Sequence, residues 1–131
     1  MAIRVVTTAL PLETRIASET SDIFDTRVSP LRRAFLTLYV TKGGAAGTTP
    51  KLDCRVVGGP ESGSSYMTSI YCYSAKGTGP LSGRGGFTQI TTAGRQVKYA
   101  ESFPRFWKVI STLTGSSPSF RYGFYVDAEA D

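Results

Sequence analysis

Hydrophobic and polar residues alternate with a period of two along most of this chain. From Arg33 to Thr41, Ala34, Leu36, Leu38 and Val40 alternate with Phe35, Thr37, Tyr39 and Thr41. In an extended strand this puts one wholly apolar face against a core and an aromatic, Thr-rich face on the other side. Lys51 to Val57 sets Leu52, Cys54 and Val56 against Lys51, Asp53 and Arg55, a half-buried strand. Arg105 to Thr114 places Trp107, Val109, Ser111 and Leu113 on one face, and Ser119 to Val126 does the same with Phe120, Tyr122, Phe124 and Val126. Tyr66 to Ser74, Gly86 to Thr92 and Gln96 to Glu101 read as further strands, the last two separated by a tight turn at Ala93-Gly94. Before Arg33 the signal is weaker: short strands are expected at Ile3 to Thr8, Thr14 to Ser18 and Ser21 to Asp25, with breaks at Pro11 and Ser29-Pro30.

Gly and Pro fall between these runs, as turn residues do between strands. A short echo stands out: Gly47-Thr48-Thr49-Pro50 precedes Lys51-Leu52-Asp53-Cys54, and Gly115-Ser116-Ser117-Pro118 precedes Ser119-Phe120-Arg121-Tyr122. Both read as hairpin turns in which Gly takes a positive φ and Pro opens the next strand. Helical periodicity is nearly absent, one turn near Ser29 to Arg32 being the exception, with Ser29 as N-cap before Pro30. The pattern predicts an all-β protein, an antiparallel β-sandwich or jelly roll of about eight strands. A length of 131 residues suits one domain. Within it, residues 1–30 read as an N-terminal arm or weakly structured strands and residues 31–131 as the sandwich.

Composition narrows the classes. Hydrophobic content of 40% is that of a globular chain, and no apolar run approaches the roughly 18 residues of a membrane-spanning helix. Met1 to Val6 alternates too early for a signal peptide, so a protein made in a cytoplasm is expected. The two cysteines, Cys54 and Cys72, fit free buried thiols or one bridge between neighbouring strands, and spacing leaves both open. Fifteen Lys and Arg oppose ten Asp and Glu, a net +5; setting aside Asp127, Glu129 and Asp131 leaves +8 over residues 1–126. A basic body with an acidic tail favours an acidic partner surface.

Catalytic constellations are hard to assemble. With no histidine, the commonest general base near neutral pH is missing, and so are the usual triads and the commonest zinc ligand. Two cysteines without a Cys-x-x-Cys pair do not make a zinc site. Asp53 and Glu101 could form a carboxylate pair, but Asp53 alternates with core residues and reads as solvated. Asp22 and Asp25 lack the ligand density of a calcium loop. Gly77 to Gly86 lacks the Gly-Lys-Ser/Thr ending of a phosphate loop, and its single Arg84 between glycines is a slight nucleic-acid signal. It reads as a loop that orders against a neighbouring subunit, with Arg84 as an anchor. Lys98-Tyr99 and Arg105-Phe106-Trp107-Lys108 interleave bases with aromatics, although Trp107 shares a face with Val109 and Leu113 and is expected in the core. Neither an enzyme nor a cofactor is expected.

Residues Phe103 to Val126, with Thr114-Gly115-Ser116-Ser117-Pro118-Ser119-Phe120 at their centre, resemble the closing hairpin of small β-sandwich virion proteins of tailed phages. Leu36 to Val56 resembles the preceding hairpin of the same proteins. Lys108 occupies the basic position within the strand, and Ser111 replaces a bulkier residue, which leaves the core packing there to be explained. The resemblance implies a virion component on the capsid surface: a decoration or cement protein, without cofactor, contacting the major capsid protein. It further implies a homo-oligomer, with a trimer at local threefold positions as the specific expectation, and neither nucleic acid nor membrane as partner. Expected partner contacts are Arg84, Arg95, Lys98, Tyr71 and Tyr73. A head-to-tail joining or tail protein and a carbohydrate-binding sandwich are the alternatives.

Overall fold

The computed structural model describes residues 3–26, 31–43, 50–61, 63, 67–69, 73–74, 93–115 and 117–130. Ten strands form among them: β1 (Ile3–Arg15), β2 (Glu19–Thr20), β3 (Phe24–Asp25), β4 (Leu31–Lys42), β5 (Lys51–Gly59), β6 (Thr68–Ser69), β7 (Tyr73–Ser74), β8 (Gly94–Ser102), β9 (Phe106–Thr114) and β10 (Phe120–Ala130). They build two antiparallel sheets. Sheet A has the order β1-β10-β4-β8-β7; sheet B has the order β2-β9-β5-β6, with β3 also on β9. The expected all-β sandwich is what the chain forms.

The alternation seen in the sequence supplies its interior. Ala34, Leu36, Leu38 and Val40 of β4 and Phe120, Tyr122, Phe124 and Val126 of β10 face Leu52, Cys54 and Val56 of β5 and Trp107, Val109 and Leu113 of β9. Each large side chain so buried contributes about 1.5–3 kcal/mol relative to exposure. Trp107 is a core residue as expected, stacked on Phe24 at 4.5 Å and met edge-on by Phe103 at 5.0 Å.

Connectivity departs from the sequence reading in four places. β4 lies in sheet A and β5 in sheet B, and β9 lies in sheet B and β10 in sheet A. Both echoed Gly-to-Pro segments therefore carry the chain from one sheet to the other and close no hairpin. The positive φ expected of the glycine is present at Gly115 (100°), joined by Ser117 (48°); Gly47 lies outside the described residues. Second, β1 runs through Pro11 without a break, pairing with β10 from Ile3↔Ala130 to Arg15↔Phe120. The register shifts between Thr8 and Leu10 and again between Leu10 and Glu13, and β1 is an edge strand. An irregular edge is where a residue without an N–H is tolerated. Residues 3–15, expected as arm or weak strands, are thus a full member of sheet A. Third, the single strand expected at Tyr66 to Ser74 is two short pieces in different sheets, β6 on β5 and β7 on β8. Fourth, Leu31 and Arg32, expected in a helical turn, begin β4, and Gly94, expected in a tight turn, begins β8. The strand expected at Gly86 to Thr92 lies outside the described residues.

A polar tie crosses the interior. The Tyr122 hydroxyl of β10 donates to Ser111 Oγ of β9 at 2.7 Å, and Ser111 Oγ donates to the Glu19 carbonyl of β2 at 2.9 Å. The small residue at 111 is explained by this: it leaves room for the tyrosine ring and accepts the hydrogen bond from its hydroxyl. Arg15 closes the same end. Its guanidinium is buried over the Tyr122 ring at 4.7 Å, donates to the carbonyls of Tyr122 at 2.7 Å and Pro11 at 2.8 Å, and pairs with the Glu19 carboxylate.

Close approach of β5 and β9 depends on Gly58, which lies opposite Trp107. A Cβ there would lie 2.4 Å from Pro104 Cγ and 2.6 Å from the Phe106 carbonyl oxygen. Gly58→Ala is expected to destabilise the fold by about 1–3 kcal/mol through overpacking, read as a lower urea midpoint. Ser111→Ala, which strands a buried tyrosine hydroxyl, is expected to cost a similar ~1–3 kcal/mol in the same assay.

Candidate interaction surfaces

Among the described core residues, Cys54 and Tyr122 carry ionisable nucleophiles, and burial makes both harder to ionise. The Cys54 thiol is pushed up to about 12 by burial, with a smaller push from Asp53 and an opposing pull from Arg15. The Tyr122 hydroxyl is likewise pushed up to about 12 by burial, against the hydrogen bond to Ser111. Near neutral pH neither forms a thiolate or phenolate. Among the described residues Cys54 is a free thiol; Cys72, and hence the bridge that the spacing left open, lies outside them. Asp53 stands on sheet B and Glu101 on sheet A, which separates the carboxylate pair considered from sequence. Asp25 is held by Arg105 at 3.4 Å.

What the chain offers is on its surfaces. Among the described residues, five large apolar side chains stand exposed: Val6 (66%), Ile16 (74%), Ile23 (44%), Phe35 (46%) and Tyr39 (42%). Val6, Phe35 and Tyr39 share the outer face of sheet A, because the odd positions of β4 must point outward once Ala34, Leu36, Leu38 and Val40 point in. The register lays this face out in rows across the strands. One row is Val6, Asp127, Phe35 and Tyr99; the next is Thr8, Tyr125, Thr37 and Val97; the next holds Gly123, Tyr39 and Arg95. Phe35 and Tyr99 touch at 5.5 Å with tilted rings. Gly123 keeps its row flat, since the Tyr125 hydroxyl occupies the space a Cβ would take, 2.7 Å away.

Charge on this face is uneven. At one end Arg4 holds the Asp127 carboxylate with both arms of its guanidinium, and Arg33 lies 3.9 Å from Glu129. Together with Phe35 these groups line a shallow cleft of about 220 Å³. Arg33 reaches it from a bulge, with φ at 46° and the register shifting opposite between Asp127 and Glu129. At the other end Arg95, Lys42 and Arg121 stand exposed around Tyr39, and Arg121 lies opposite Lys42.

Of the residues expected to contact a partner, Arg95 is on this exposed end. Tyr73 sits in β7 opposite Tyr99, at the far edge of the same sheet. Lys98 is a correction: it lies opposite Leu36, on the inward face of β8, and is only 7% exposed. The alternation that turns Tyr99 outward turns Lys98 inward, where it is engaged with its surroundings. Tyr71 and Arg84 lie outside the described residues. The sequence alternation puts Phe35 and Tyr39 on the second face of β4 but does not single them out, or Val6, as contact residues.

The second surface is the β2 edge of sheet B. Ile16 and Ile23 flank β2, which clips to β9 through Ser21 and Ser18: Ser18 Oγ and Ser21 Oγ accept from the backbone N–H groups of Leu113 and Val109 at 2.9 Å and 2.8 Å. The outer face of sheet B beside it carries Arg55, Lys51 and Lys108 with Asp53.

No known protein family matches the sequence, and no curated protein does. Among solved structures, the SPBc2 prophage-derived protein YomS is similar in fold, with a TM-score of 0.53 and 8% identity over 98% of this chain and 95% of that one. A chain of infectious bursal disease virus, Gx strain, superposes at a TM-score of 0.41 with 10% identity over 98% of this chain and 32% of that one, too loosely to support any inference.

Burial of Cys54 and Tyr122 has a consequence at high pH. Unfolded, they ionise at their ordinary values of 9.0 and 10.0; folded, both hold their protons to about 12. The unfolded chain therefore binds fewer protons across that window, and stability falls as pH rises from 9 towards 12 while staying level with respect to these groups below it. Urea unfolding followed from pH 8 upward is expected to show this fall, and Cys54→Ala and Tyr122→Phe each to make it shallower.

Proposed function

We propose that this chain is a structural virion protein of a tailed phage, a decoration or cement protein that lies on the outer surface of the head and binds the major capsid protein. The observation that carries the reading is on the surface: among the described residues, Cys54 and Tyr122 are sealed in the core, while exposed apolar side chains stand on a chain with excess positive charge. Such a surface gains free energy by burying aromatics and aliphatics against an acidic protein face. The resemblance of Phe103 to Val126 to tailed-phage virion proteins points the same way, and the fold likeness to a prophage-derived protein is compatible with it.

Contact with the shell is assigned to the β2 edge, where Ile16 and Ile23 project beside the basic outer face of sheet B. The strands there are two residues long, so the segment has little regular structure to lose in conforming to a subunit junction. Arg84 and Tyr71 extend the same proposal as further contacts. A head-to-tail joining protein differs in copy number, because a tail axis is unique whereas a shell repeats its sites by symmetry. Quantitative mass spectrometry of purified particles is expected to find the chain at on the order of hundreds of copies per particle. A stoichiometry near a dozen reassigns it to the tail junction, and absence from particles ends the reading. Ile23→Asp is expected to leave folding intact and to lower occupancy on particles.

A further inference from the structure

We propose that the outer face of sheet A is a self-association surface on which two copies of this chain pack face to face. This goes beyond the assignment to a shell and stands whether or not the chain is carried on one. The face is self-complementary about the row Thr8, Tyr125, Thr37 and Val97. Turning a second copy over about a line along this row reverses its strands and lays each position on the one equally far beyond the row.

On β4, Phe35 then covers Tyr39 of the second copy, so the two most exposed aromatics of the face bury each other. On β8, Tyr99 covers Arg95 of the second copy, a cation over a ring. On β10, Glu129 covers Arg121 of the second copy, and Asp127 comes over Gly123 and the Tyr125 hydroxyl that lies on it. The two described carboxylates of the face both lie at one end, where Arg4 and Arg33 also hold them, and Arg95, Lys42 and Arg121 cluster at the other without a described carboxylate. In the reversed pair Glu129 is therefore shared between Arg33 of its own copy and Arg121 of the other. Reversal is the one arrangement of identical faces that brings them together, and an isologous contact forms every such pair twice.

A nucleic acid fits this face less well, because Arg4 and Arg33 are already engaged by Asp127 and Glu129 and because Val6 and Phe35 offer apolar area that a phosphate backbone does not use. Strand spacing of about 4.8 Å and a rise of about 3.4 Å per residue give roughly 500 Å² of projected face per copy, less than the roughly 800 Å² per partner of a standard interface. The contact is therefore weak and depends on concentration. It yields a dimer, so a threefold assembly would meet its neighbours through this face and not close through it.

Sedimentation velocity of the full 131-residue chain, from about 10 µM to about 300 µM at low salt, tests this. A monomer–dimer equilibrium is expected. Arg121→Glu and Glu129→Arg are each expected to weaken it about tenfold, and the double swap R121E/E129R to restore it, since the reversed pair is again complementary. Thermal melts of all three variants confirm that each is folded. A monomer at every concentration, singles that leave the dimer unchanged, or a double swap no better than the singles overturns the proposal. So does binding of a DNA duplex that R121E abolishes in a chain that never dimerises.

Discussion

Arg15 is the group on which the closure of this sandwich depends. It sits where β1 leaves sheet A and the chain passes to β2 on sheet B, and its guanidinium is buried. A charge in that position is tolerable only if it is paired and its N–H groups are satisfied. The Glu19 carboxylate supplies the pairing, and the carbonyls of Pro11, Glu13 and Tyr122 take the donors. The irregular register of β1 around Pro11 is what leaves carbonyls there for an arginine to reach. Through the Tyr122 ring and hydroxyl the same cluster continues to Ser111 and back to the Glu19 carbonyl. Four strands from two sheets thus meet in one polar circuit, and removing any member strands buried partners.

That circuit is also where the sequence was least legible. Arg15, Glu19, Ser111 and Tyr122 carry no motif, and they are joined by geometry that a linear pattern does not contain. Alternation reports which face of a strand is apolar, and it did so correctly for β4, β5, β9 and β10. It says nothing about which strand lies alongside, so two inter-sheet crossings were read as hairpins and one long edge strand was read as two pieces divided at Pro11. Lys98 shows the converse limit. Its chemistry suggests solvent, but its parity with Leu36 sends it inward, and parity within a sheet prevails because one residue of slip would expose the whole apolar face. The exposed face of sheet A is half visible in the sequence: the aromatic positions of β4 stand out in the alternation, but basic residues and glycine-rich segments give the stronger linear signal.

The outward face of sheet A is a by-product of the same constraint. With even positions of β4 and β10 committed to the core, the odd ones are left free, and they carry Phe35, Tyr39, Tyr125 and Asp127. Because the backbone of each row is fixed by ladder hydrogen bonds, the relative positions of these side chains are set before any partner arrives. Gly123 under the Tyr125 hydroxyl and the bulge at Arg33 adjust the relief of the face without loosening it. A preorganised face loses little conformational entropy on docking, which raises the affinity obtainable from a small area.

Weak self-association and attachment to a repeating surface reinforce one another. Were the chain held on a shell by the β2 edge, as proposed, its sheet A face would be presented to neighbours at a local concentration set by the lattice and no longer by solution, and effective concentrations in the millimolar range are common for tethered partners. A contact too small to hold a dimer in dilute solution is then populated. The two surfaces belong to different sheets, so occupation of one leaves the other accessible. Lateral ties between bound copies would raise the work needed to lift any single copy from the surface, and that work grows with the number of neighbours even though no individual contact is strong.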